Sequence, residues 1–177
     1  RPSRPGAGGA TCLPIDTSTV GAGFRGPSEA IRTVVEAHGP VDAVIIGLPG
    51  PQPVGDSQGW TRVLADHGRL AGAILDDAAW ARAAADESAR SGRAIHLVTL
   101  TDATTSGGRS RAQASAQLAR SARASTEGRV TAFSVSVESL DEPSVRLVGE
   151  LAGHLATSAD VDALSGAELV TGQGWFG

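Results

Sequence analysis

Two near-continuous apolar runs, VDAVIIGLPG (41–50) and AIHLVTL (94–100), flank a long segment of helical period. Runs of this kind predict strands covered on both faces, as in a parallel sheet. From Asp56 to Arg90 the positions Val63, Leu64, Leu70, Ala71, Ile74, Ala78 and Ala81 recur every 3.6 residues. They predict one long or kinked helix with Gly68 and Gly72 as its weak points. Parallel neighbours need such a crossover, so this strand, helix and strand constrain the rest of the fold.

The remaining segments extend the same alternation. ATCLPID (10–16) reads as a short strand that Pro14 confines to a sheet edge or strand end. PSEAIRTVVEAHG (27–39) places Ile31, Val34 and Val35 on one helical face. A helix from about Arg109 to Thr126, a strand at RVTAFSVSV (129–137), a helix at DEPSVRLVGELAGHLAT (141–157) and a strand at GAELVTG (166–172) follow. The expected fold is a doubly wound, Rossmann-like α/β domain over 10–177, with a flexible Pro/Gly/Arg segment at 1–9.

Composition narrows the chemistry. The net charge of −4 gives no basic footprint for nucleic acid, and no apolar run approaches the length of a membrane span. With no secretory pattern at its start, the chain is expected in the cytosol. Cys12 is the single cysteine, expected to be an inert thiol buried in a strand, and no cluster suits a metal. All 15 basic residues are Arg; Lys, Tyr, Met and Asn do not occur, a bias that a G/C-rich bacterial genome explains.

Several local motifs resemble the short-chain dehydrogenase/reductase family, especially its acyl-carrier-protein reductase branch, from that family's third strand onward. Asp16 in IDTS stands at the Asp of the family's third-strand motif. HGPVDAVIIGLPG keeps Gly39 and Asp42 of the fourth-strand motif but carries Ile46 and Gly47 in place of two Asn. GWTRVLADH matches a family helix start, with Trp60 and Val63 in place and His67 where the family has Asn. GRAIHLVT puts Thr99 at the position of the catalytic Ser, and LSGAELVTGQG resembles the closing motif. The resemblance therefore implies a truncated Rossmann-like sheet, family strands 3 to 7 with their helices.

The same resemblance implies a lost active site. The family's Tyr lies thirteen residues beyond its Ser and its Lys one turn later; counted without a gap, these positions hold Ala112 and Ala116. Neither alanine can protonate a carbonyl or hold a ribose, and no Tyr–Lys pair exists anywhere in the chain. The family's Gly-rich cofactor loop is also expected to be missing, because GAGG (6–9) and GAGFRG (21–26) do not follow a buried strand into a helix. No cofactor is expected on this chain; NADP(H) would be held by a partner subunit.

Two functional expectations follow. The first is a non-catalytic subunit that joins an active short-chain reductase or dehydrogenase acting on ketoacyl, hydroxyacyl or polyketide-type substrates. The second is a cofactor-independent enzyme in which His67, Asp102 and Thr99 converge on an acyl or polyketide substrate. The other histidines read as structural: His38 at a helix end, His96 in a strand and His154 in the last helix.

Charge supports the partner reading. Arg109, Arg111, Arg120 and Arg123 load one helix, while Asp66, Asp76, Asp77, Asp86 and Glu87 load the preceding one. Such faces select partners. In the resembled family these two helices meet their counterparts in another subunit, which predicts association with an active homologue or a second copy through Ile74, Trp80, Arg111, Ala114, Leu118 and Ala122.

Overall fold

The computed structural model describes residues 11–16, 19–21, 23–47 and 59–171, the side chains of 62, 63, 65, 66 and 106 excepted. Expectations for the 1–9 segment and for the chain between 48 and 58 fall outside these residues. The elements run α1 (Arg25–His38), β1 (Ala43–Gly47), α2 (Trp60–Ser91), β2 (Ile95–Asp102), α3 (Ser106–Ser125), β3 (Val130–Val137), α4 (Glu142–Thr157), a short 3-10 helix (Ala159–Leu164) and β4 (Glu168–Thr171).

The four strands form one parallel sheet in the order β1-β2-β3-β4. Each connection is a helical crossover, as parallel pairing demands. Leu97 and Ala132 face α1, α2 and α3, where they pack with Ile31, Trp80, Ala83, Ala119 and Ala122. Val98, Phe133 and Val135 face the opposite side, against Val148, Ala152 and Leu155 of α4 and Val161. The result is a three-layer α/β/α domain, the truncated Rossmann-like arrangement expected. Strand β3 is buried along its whole length, a consequence of lying between β2 and β4 with helices on both faces.

Local signals set the helix ends. Thr105 caps α3 by accepting from the Gly108 N–H at 3.0 Å, and Asp141 caps α4 by accepting from the Ser144 N–H at 2.8 Å. Gly92 closes α2 in the left-handed region at φ 69°, a conformation that costs a residue with a Cβ. Gly68 and Gly72 do not break α2, which runs 32 residues without interruption.

That length has a consequence. At 1.5 Å per residue α2 is about 48 Å long, whereas an eight-residue strand spans about 26 Å. The first half of the helix therefore extends past the sheet: no described residue between Trp60 and Asp76 is buried, and the first buried position is Asp77.

Two expectations are corrected. Residues 11–16 form no strand and are exposed, and β1 is the sheet's edge among the described residues. An apolar segment becomes a strand only where a neighbour offers a ladder of N–H and C=O groups. Cys12, in that segment, is exposed rather than buried.

Candidate functional site at the β2–α3 corner

In an open parallel sheet ligands bind beyond the carboxyl ends of the strands. Here the described part of that edge is the turn from β2 into α3 and the turn from β3 into α4. The β2–α3 turn is short: Ala103, Thr104 and Thr105 alone separate strand from helix. Its polar groups are committed to holding the turn. The Asp102 carboxylate accepts from the Thr104 N–H at 2.9 Å and from the Thr104 hydroxyl at 2.6 Å. The Arg109 guanidinium donates to the Ala103 carbonyl at 3.0 Å. Gly108 approaches the strand so closely that a Cβ there would lie 1.6 Å from the Asp102 carbonyl oxygen.

Helix α3 therefore starts three residues before the position the sequence suggests, and Thr105 and Arg109 form its first turn. Sequence reasoning named Arg109 only as the helix start and a surface charge, and did not name Thr105. The signal was present in TTSGG, a hydroxyl cap followed by residues small enough to approach the strand. Ala112 and Ala116, at the positions counted to the Tyr and Lys, lie in the second and third turns and are 0% and 2% exposed. They face the interior. The Ser134 hydroxyl of β3 donates to the Ala112 carbonyl at 3.1 Å, so only small side chains fit between this helix and the sheet.

Thr99, His67 and Asp102 do not share a described cavity. Thr99 sits inside β2, three residues before its end, and turns under α2 and α3 beside Asp77 and Ser115. His67 is exposed on the overhanging half of α2. Asp102 caps its own turn. A cooperating base, carboxylate and hydroxyl would need all three around one reacting atom. Among the described residues no group of His, Cys, Asp and Glu is placed to hold a metal ion.

The dominant polar feature lies one layer deeper. Arg111 and Asp77 are 0% and 2% exposed and form a two-pronged pair, Nε to Oδ2 at 2.9 Å and Nη2 to Oδ1 at 2.6 Å. The Ser115 hydroxyl donates to the same Oδ2 at 2.9 Å. Charges expected to face outward on two helices thus meet between them. Trp80 and Ala122, each 7% exposed, also belong to the core. These burials correct the expected contact surface: Trp80, Arg111 and Ala122 are interior residues, whereas Ile74, Ala114 and Leu118 are half-buried. Exposed apolar side chains stand instead on the α2 overhang at Trp60, Leu64 and Leu75, which are 79%, 69% and 58% exposed.

At the β3–α4 turn, hydrogen bonds from Ser144 and then Ser139 hold the exposed Asp141 carboxyl below the ordinary carboxylate range. This too is a capping role.

No protein-family model matches the chain, and no curated protein matches it in sequence. Solved structures do match its fold. A short-chain dehydrogenase from Mycobacterium smegmatis superposes with a TM-score of 0.65 at 18% identity, over 85% of this chain and 67% of that one. A hydroxysteroid dehydrogenase from Escherichia coli gives 0.62 at 18% identity, over 85% and 70% of the two chains. The halohydrin dehalogenase HheC, bound to ethyl (2S)-oxiran-2-ylacetate, gives 0.58 at 19% identity, over 81% and 72%. The fold is thus of the short-chain dehydrogenase/reductase type. No described helix is long and apolar enough to cross a membrane.

Proposed function

We propose that this chain is a non-catalytic, short-chain-dehydrogenase-like subunit that joins an active reductase or dehydrogenase of the same fold, one acting on ketoacyl, hydroxyacyl or polyketide-type substrates. The observation that carries this reading is the replacement of an acid–base pair by packing. The sequence has no Tyr and no Lys, and the positions counted to that pair, Ala112 and Ala116, are interior contacts of α3 with the sheet. The polar groups at the β2–α3 corner hold the turn together. The engagement of Asp102 in its own turn and the burial of Thr99 beneath α2 and α3 favour this reading over a cofactor-independent enzyme.

The contact surface is the outer face of the α2 overhang. Trp60, Leu64, Ala71 and Leu75 lie within one broad stripe of the helix, all of them exposed. Large apolar residues clustered on a helix with no sheet beneath it are the composition of an interface core. NADP(H), in this reading, is bound by the partner.

Co-purification from the native host, followed by co-expression with the captured reductase, tests the proposal. The expected result is a stable hetero-oligomer in which the reductase is longer-lived or faster than alone. A chain that remains separate and leaves the enzyme's rate and lifetime unchanged refutes it.

A further inference from the structure

Beneath α2 and α3 a small cavity opens against the sheet, with about 10 Å³ of room for the centre of a water molecule. Its polar walls are Asp77 from α2, Thr99 from β2 and Ser115 from α3; Leu97, Leu118 and Ala119 are among its apolar ones. A void of this size holds one water when two to four polar groups converge on it.

The donor and acceptor inventory supplies those groups. Thr99 is 6% exposed, and its hydroxyl has no hydrogen-bond partner among the described residues. A buried hydroxyl left so is costly, which makes it the group most in need of a ligand. Asp77 Oδ1 receives one described bond, from Arg111, so it keeps a lone pair for a second donor. The Ser115 hydroxyl spends its proton on Asp77 Oδ2 and retains acceptor capacity.

We propose that this cavity is a binding site for one ordered water, which accepts the Thr99 proton and donates to the Asp77 carboxylate and the Ser115 oxygen. The water joins β2 to the ion pair between α2 and α3, so sheet and helices share one buried hydrogen-bond network. Thr99 then has a structural role, and its hydroxyl is used inside the domain. The inference stands on the cavity and its polar groups, independently of any partner subunit.

A high-resolution crystal structure of the wild-type chain tests it, alongside Thr99→Val and Thr99→Ser. One water peak is expected within hydrogen-bond distance of Thr99 Oγ1 and of Asp77 or Ser115. It should persist in Thr99→Ser and vanish in Thr99→Val, which keeps the shape but not the hydroxyl. A cavity without density in the wild type, or a Thr99 hydroxyl bonded directly to protein, overturns the proposal. If Thr99→Val does not fold, the wild-type crystal still decides, as does NMR. Cross-relaxation from a long-lived water to the Thr99 methyl supports the site, and its absence counts against it.

Discussion

Arg111 and Asp77 form a fork-to-carboxylate pair with both side chains shielded from solvent, joining α2 to α3 through bonds of 2.6 and 2.9 Å. A buried pair of this kind resists loss of either partner, because the survivor is stranded in a medium that solvates it poorly. Asp77→Ala is expected to destabilise the fold by about 3–5 kcal/mol, read from denaturant unfolding. Replacing both residues together, Asp77→Leu with Arg111→Met, should recover most of that loss. A double variant as weak as the single one would show that the pair is needed for more than mutual neutralisation.

Gly108 and Gly149 both lie in helices, yet the same substitution should act in opposite directions on them. At Gly108 a Cβ would overlap the Asp102 carbonyl, which is backbone and cannot swing away. Gly108→Ala is expected to cost about 1–3 kcal/mol as α3 is pushed from the strand end. At Gly149, exposed in α4, nothing lies within 4 Å of the added methyl. Gly149→Ala should therefore stabilise the protein by up to about 1 kcal/mol through helix propensity. Paired thermal or denaturant melts check the contrast.

Asp141 links stability to acid. Ser144, foremost, and Ser139 hold its carboxyl below the usual range, so the folded state favours the ionised form more than the unfolded chain does. That contribution is complete above the unfolded pKa of about 3.9 and is lost as pH falls through the lower folded value. Asp141→Ala should accordingly lower the unfolding midpoint at neutral pH. The difference from wild type should shrink at about pH 2, where carboxyls are protonated.

Cys12 lies in the exposed 11–16 segment, in contrast with its expected burial. Native protein should alkylate at this thiol as fast as denatured protein does. Strong protection in the native state would mean that another surface covers the segment.

The alternation of apolar runs with 3.6-residue periods was enough to read every described strand and α-helix from 25 to 171, though not the short 3-10 helix Ala159–Leu164, because burial on a sheet and on a helix face imposes different spacings. It failed at ATCLPID, where composition favours a strand but the edge β1 has no further neighbour among the described residues. The candidate site was less legible. The start of α3 was read near Arg109, three residues late, because the Thr105 hydroxyl cap in TTSGG carries no apolar periodicity. Arg111 and Asp77 looked like surface charges by type alone. Their helical phase argued otherwise: Arg111 shares a face with Ser115 and Ala122, and Asp77 with Trp80, Ala84 and Ser88, all but one of them small. Residue type sets an average exposure, and the phase of the helix decides the individual case.

The overhang of α2 separates folding from association. Leu64 and Leu75 are 69% and 58% exposed and lie beyond the sheet, so changing them removes little that holds the domain together. The variant Leu64→Glu with Leu75→Glu is expected to match wild type in its unfolding midpoint. In the proposed hetero-oligomer the same change would place two carboxylates in a desolvated apolar contact. Truncated or charged interface anchors commonly cost about 2 kcal/mol or more, which weakens association at least roughly 30-fold. Sedimentation or calorimetric titration against the captured reductase measures this directly. Undiminished binding by a correctly folded double variant would move the contact off α2, leaving the non-catalytic reading to be judged on activity alone.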